Sequence, residues 1–221
     1  MSSVAKKILV ATTNPGKIAE LRAMLEFDVQ WLGLADFKSV GEIKEDGATF
    51  AENARKKALG YAKTTGLWTI ADDSGLVIDA LGGQPGVKSA RFSGAKDKDR
   101  TLFDHKNMAK VLKLLKGIPK ENDSTSSPSR AKSRERTARF VCRLCLASPE
   151  KVLIETEGKL EGFIAEQEMG ANGFGYDPIF FVPHLNKTVA QLTTEEKNAI
   201  SHRGNALRKL KPLLAKLLKS A

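Results

Sequence analysis

Cysteine is scarce: the 221 residues hold two, Cys142 and Cys145. That excludes the disulfide framework that staples small secreted domains. Their CxxC spacing has no second pair and no histidine nearby to complete a zinc site, and on an alternating strand the two side chains face opposite sides. They read as small apolar fillers. Histidine is also rare, with three residues. His105 and His184 have no ligand partners at useful spacing and read as structural or surface residues. No stretch approaches the roughly 20 apolar residues of a membrane span. The N-terminal apolar run, Ile8 to Ala11, is too short for a signal-peptide core, so a cytoplasmic location is expected by default. Aromatic residues make up 6% of the chain, and no aromatic-rich surface for nucleic acid is evident.

What is present is an ordinary globular composition, 41% hydrophobic and 28% charged. The length suits one large domain, or two small lobes sharing one core. The formal charge is +10, from 36 Lys and Arg against 26 Asp and Glu. A polyanion would be drawn to such a chain, whether nucleic acid, acidic membrane or nucleotide. The positive residues are spread along the chain, which favours a basic surface over a nucleic-acid footprint.

The pattern opens strand, polar loop, helix. Lys7–Ala11 reads as a buried strand, and Ile18–Phe27 carries helical apolar spacing. Ligands in α/β folds usually sit beyond such strand ends. A strand is expected at Val29–Leu32, then an acidic turn from Glu42 to Gly47. A helix follows over about Phe50–Lys63, opened by a Thr49/Glu52 capping box and closed by Gly66. Leu67–Ala71 reads as a short strand running into DDSG, with a second apolar piece, LVIDAL, beyond it. GGQPGVKSARFSG reads as loop, and about Arg100–Leu115 as an amphipathic helix. Lys120–Arg136 is almost without apolar side chains and reads as a flexible surface insertion inside a single domain spanning 1–221. ARFVCRLCLAS and KVLIETEGKLEGFIA read as an antiparallel meander, with Gly158 between strand-like segments and Gly162 near a bend or bulge. ANGFGYDPIFFVP gives a glycine-rich turn and a strand. TTEEKNAISHRG begins a helical region, and Asn205–Leu218 forms a terminal helix interrupted or kinked near Pro212.

Four groups could carry chemistry. Thr12, Thr13, Asn14, Gly16 and Lys17, in the first strand-to-helix loop, offer hydroxyls, an amide, backbone N–H groups and a cation to phosphate oxygens. An ordinary capped turn would look the same, and the P-loop spacing is absent. Glu45, Asp46, Asp72 and Asp73 could hold a hard cation, and one carboxylate could deprotonate a water. Only one of Asp72 and Asp73 need point into a site, since strand side chains alternate; Glu52 is already explained by capping. Gly173, Phe174, Gly175, Tyr176 and Asp177 form a loop in which Phe174 offers a flat face to a nucleobase, or else a turn with two core aromatics. Lys197, His202 and Arg203 suit phosphate or base contacts, or solvent-facing charge at a helix start.

Taken together these segments resemble the inosine/xanthosine triphosphate pyrophosphatases, the HAM1-like family. The resemblance rests on ATTNPGK (11–17), EDGATFAENA (45–54), ADDSGLVIDALGGQPGVKSARFSG (71–94), GFGYDPIFF (173–181) and EKNAISHRG (196–204), in family order over nearly the whole chain. It implies an α/β fold with a mixed sheet, two lobes around a central nucleotide-binding cleft, and a homodimer. It implies magnesium-dependent cleavage of purine nucleoside triphosphates (ITP, dITP, XTP) to monophosphate and pyrophosphate. Apart from the resemblance, no stable nucleic-acid partner and no membrane partner are expected. Thr12, Thr13, Asn14, Pro15, Gly16 and Lys17 would hold the triphosphate. Glu45 and Asp73 would bind magnesium, with Asp73 also the general base and Asp72 a further acidic site residue. Ser74 would contact substrate. Phe174, Gly175, Tyr176 and Asp177 would frame the base, and Lys197, His202 and Arg203 would complete nucleotide binding. The insertion at 120–136 is longer and more basic than the family turn. The rivals are a nucleic-acid-binding module and a hydrolase of other nucleotides.

Overall fold

Alternation along the first strand sets the layers. In the computed structural model, which describes residues 6–37, 40–95, 99–116 and 136–220, β1 (Lys7–Val10) turns Ile8 and Val10 to one face and Leu9 to the other. That is the period-2 consequence of strand geometry. The chain continues through α1 (Pro15–Met24), β2 (Gln30–Gly33), α2 (Phe50–Thr65), β3 (Trp68–Ile78), α3 (Arg100–Lys116), β4 (Thr137–Ala147) and β5 (Val152–Ile164). It ends with β6 (Phe180–Val182), β7 (Lys187–Thr188), α4 (Thr194–Ile200) and α5 (His202–Ser220). Among the described residues the strands form one seven-stranded sheet, ordered β2-β1-β3-β4-β5-β6-β7. β1 pairs in parallel with β2 and β3, while β6 pairs antiparallel with β5 and β7. The fold is therefore α/β with a mixed sheet, as expected.

The chain divides into two compact units. The first comprises Met1–Ser74, Cys142–Lys159 and Ser201–Ala221. On one sheet face Ile8, Val10, Ile70, Cys142, Leu144 and Leu146 pack with Leu21 and Leu25 of α1 and Leu207, Leu210 and Leu214 of α5. On the other, Leu9, Ala71, Cys145 and Ala147 pack with Ala54, Ala58, Tyr61 and Ala62 of α2. The two cysteines thus occupy opposite faces, both as free, buried thiols. The second unit comprises Gly75–Val141 and Leu160–Ile200. Its core joins Leu76, Ile78, Met108, Val111, Phe140, Tyr176 and Phe180, with the Phe140 and Phe180 rings stacked at 4.3 Å.

Several expectations need correcting. β3 runs unbroken through Asp72-Asp73-Ser74-Gly75 rather than pausing there. Both aspartates are buried, and partners described below offset the cost of placing charge in a strand. Gly158 lies inside β5, not between strands. The backbone of α5 crosses it so closely that a Cβ would collide with His202 O and Ala206 N. Gly162, expected near a bend or bulge, also lies within β5, where a Cβ would collide with Phe181 O. α1 begins at Pro15, so Gly16 and Lys17 belong to its first turn rather than to the preceding loop. In the α2 cap, Thr49 Oγ1 accepts from Glu52 N at 3.2 Å as expected, but Glu52 Oε2 accepts from Ala48 N. The GGQPGVKSARFSG stretch contains a 3-10 turn over Gly86–Arg91. α5 continues through Pro212 without interruption. Most of the insertion at 120–136 lies outside the described residues.

Candidate active site

Within the first unit, β3 presents two adjacent carboxylates to opposite surroundings. Asp72 is fully enclosed by donors. Arg203 Nε donates to its Oδ2 at 2.8 Å, and the Cys142 thiol donates to the same oxygen at 3.1 Å. Ser74 Oγ donates to Oδ1 at 3.0 Å, and Lys17 Nζ forms an ion pair there. Burial pushes the Asp72 carboxyl up, but Arg203 and Lys17 outweigh it and hold the group well below the usual carboxylate range. Burial and the neighbouring Asp72 charge push the Cys142 thiol up, so it stays protonated and can donate.

Arg203, 2% exposed, ties three elements together. Besides Asp72 of β3, its guanidinium donates to Glu20 of α1 and, at 2.8 Å, to Ser74 Oγ. The first turn of α1 is capped by Asn14, whose Oδ1 accepts from Gly16 N at 3.0 Å, while Thr12 Oγ1 accepts from Asn14 N at 3.1 Å. Lys17 therefore enters the Asp72 network from a helix start rather than a loose loop. Pro15 takes the proton-free first helical position. Thr13 precedes the cap, and His202 stands buried at the start of α5.

Asp73 is different. It is buried, yet its Oδ2 has no hydrogen-bond partner. The Asn53 side chain bonds the carboxylate, and Lys57 and Lys17 act on it through space. Burial nevertheless prevails and pushes Asp73 up to about 6, with Glu45 adding to the rise. Lys57 Nζ lies 3.1 Å from Glu45 Oε2 and donates to Asp72 O at 2.6 Å, joining the two carboxylate environments. Asp46 is apart from them, exposed and paired with Lys44 and Lys56.

The second unit holds the glycine-rich loop. Asp177 Oδ2 accepts from Phe174 N at 2.9 Å and from Lys197 Nζ at 2.8 Å, and both charged side chains are buried. The Lys197 ammonium also lies 4.4 Å from the Phe174 ring centroid. Tyr176 turns into the core, its hydroxyl donating to Ser89 O at 2.8 Å. Phe174 stays half-buried, so of the two aromatics only Tyr176 is a core residue.

The Ham1 family model matches residues 8–213. The chain belongs to the Ham1 family. It is 48% identical over 214 residues to the dITP/XTP pyrophosphatase of Bacillus subtilis (strain 168), covering 96% of this chain and 98% of that one. The dITP/XTP pyrophosphatase of Listeria monocytogenes serotype 4b (strain F2365) is 44% identical over 213 residues, 96% of each chain. Among solved structures, a HAM1 protein from Coxiella burnetii matches with a TM-score of 0.79 at 40% identity, over 96% of this chain and 99% of that chain.

Among the described residues no group of three or more His, Cys, Asp or Glu side chains could hold an ion. Glu45 and the unpartnered oxygen of Asp73 are hard oxygen donors, and two carboxylates suit a cation that arrives with phosphate oxygens and water as its other ligands. Sequence reasoning missed Asn53, Lys57, Glu20 and Cys142. Asn53 and Lys57 had a readable signal, since they sit four apart on the same helix as Ala54, Ala58 and Ala62, where polar groups at buried positions need partners. Glu20 and Cys142 had none, because their contacts span 183 and 70 residues of sequence.

Proposed function

We propose that this chain hydrolyses non-standard purine nucleoside triphosphates, with ITP, dITP and XTP as substrates, to the nucleoside monophosphate and pyrophosphate. The observation that carries the chemistry is the surroundings of Asp73: a buried carboxylate with one unpartnered oxygen, beside Lys57 and Glu45, which burial pushes up to about 6 in the metal-free protein. A base in that range is ionised at neutral pH yet basic enough to take a proton from water. The water oxygen bonds to phosphorus at the α–β linkage, its proton passes to Asp73, and the bond to the leaving pyrophosphate breaks. Glu45 and Asp73 would hold Mg2+, which when bound offsets charge growing on the phosphate oxygens. Lys17, at the start of α1, supplies a cation for the triphosphate, and the Thr12–Gly16 cap presents backbone and side-chain donors. Asp72 stays ionised and orients Lys17, Ser74 and Arg203. In the second unit, Phe174 serves as the stacking face for the base. Lys197, beside that ring, is a donor that suits a 6-oxo group and opposes a 6-amino group. The relatives named as dITP/XTP pyrophosphatases support this substrate class.

Two further parts of the proposal are a cytoplasmic location, expected by default, and a homodimer, carried from the family resemblance. Among the described residues no helix is long and apolar enough to cross a membrane. Light scattering on the purified protein is expected to give about twice the 24.0 kDa chain mass; a single chain mass at assay concentration contradicts the dimer.

Asp73→Asn tests the base. The expected loss in kcat is about 10²–10⁴-fold. Because losing a metal ligand could reduce turnover similarly, Mg2+ and nucleotide affinity must be measured on the same variant. Full turnover by Asp73→Asn would remove the base assignment.

A further inference from the structure

The loop that presents Phe174 is gripped from α3, by a residue that the chemistry above does not use. Asp177 Oδ2 takes the Phe174 N–H from within the loop. The next N–H, of Gly175, donates to Asp104 Oδ2 on α3 at 2.8 Å. Gly175 has φ 65°, the left-handed conformation that glycine adopts freely. Two successive amides of one turn are thus captured by two different carboxylates, and the peptide between Phe174 and Gly175 has its direction set. Asp104 is well placed for this, its side chain only 13% exposed and its other oxygen facing Arg100 at 3.7 Å. One residue along α3, His105 Nδ1 lies 2.8 Å from Glu168 Oε2, on the segment leading into the loop. Beyond Gly175, Tyr176 is anchored in the core and to Ser89 O.

We propose that Asp104 is a positioning residue for base recognition: through the Gly175 N–H it sets the direction of the Phe174 ring and so pre-forms the stacking face for the purine. The premise is the base-platform role given to Phe174 above. A hydrogen bond to an ionised carboxylate is stronger than a neutral one. Without it the turn samples other peptide orientations, and substrate must order it on binding. Such an ordering cost falls on ground state and transition state alike, so it appears in KM rather than in kcat.

The test uses Asp104→Ala and Asp104→Asn in the full chain, with two readouts. Amide exchange across residues 172–177 is measured without nucleotide, and steady-state kinetics are measured with inosine triphosphate. Asp104→Ala is expected to speed exchange at Gly175 and to raise KM on the order of tenfold, with kcat within about twofold. Asp104→Asn keeps an acceptor oxygen and is expected to restore most of both. In a Phe174→Ala background, Asp104→Ala is expected to add no further rise in KM. Unchanged exchange at Gly175 in Asp104→Ala overturns the proposal. So do equal defects in the Ala and Asn variants, or a KM effect that adds in full to that of Phe174→Ala. If Asp104→Ala does not fold, Asp104→Ser, too short to reach Gly175, takes its place. A wild-type protein that does not hydrolyse inosine triphosphate removes the base-platform premise, and the exchange data then decide the anchoring of the loop on their own.

Discussion

Asp72 and Asp73 lie side by side on β3 and meet opposite electrostatics. Asp72 faces two cations and is held low; Asp73 is held high, to about 6, chiefly by burial. The second arrangement costs stability. A carboxyl raised from 3.8 to about 6 favours folding fully below the unfolded value, and that contribution is lost as pH rises through 6. At pH 8 the ionised group destabilises the metal-free protein by roughly 3 kcal/mol. Asp73→Asn is therefore expected to be more stable than wild type in urea at pH 8 without metal, and to lose that advantage at pH 4, while turnover collapses. Equal stability at both pH values would contradict the burial account. Asp72→Asn should do the reverse to the fold. It removes one of the carboxylates paired with buried Arg203, Glu20 being another, and breaking such a pair costs about 3–5 kcal/mol. A change below about 1 kcal/mol in the same measurement would mean that Arg203 finds other compensation. That DDSG is a candidate site was legible from two acids following an apolar strand. Which aspartate meets which surroundings was not, because Cys142 and Arg203 approach from distant parts of the chain.

At the scale of elements, periodicity was a reliable guide wherever one face is buried. β1, α2 and α3 fall close to their expected spans because their apolar spacing records the layers on either side. It misled at glycine and at buried charge. Gly158 suggests a turn, and DDSG a break, when only local propensity is weighed. Both are strand because α5 crosses β5 at Gly158, and because the aspartates have partners. The crossing gives a direct prediction. Gly158→Ala places a methyl where the backbone of α5 already runs, and the helix must move or the strand must bend. Such overpacking costs about 1–3 kcal/mol or more. A thermal midpoint unchanged by Gly158→Ala would show that α5 is free to shift. The uninterrupted course of α5 through Pro212 also went against local propensity; its inward leucines, Leu207, Leu210 and Leu214, keep the helix seated on the sheet on both sides of the proline.

For the whole molecule, the charge of +10 left nucleic acid and nucleotide both open. The arrangement of the first unit favours the nucleotide. Lys17, Lys57 and Arg203 are turned inward onto Asp72 and Glu45, so these three cations belong to an enclosed polar cluster and not to an exposed nucleic-acid footprint. Membership of the Ham1 family points the same way. The most direct measurement is a Mg2+-dependent assay of inosine, xanthosine, adenosine and guanosine triphosphates, with monophosphate, pyrophosphate and orthophosphate detected separately. Monophosphate and pyrophosphate are expected in equal amounts, with kcat/KM for inosine and xanthosine triphosphates well above that for the other two. Orthophosphate as the product, comparable rates on all four, or no turnover by folded protein would contradict the proposed function.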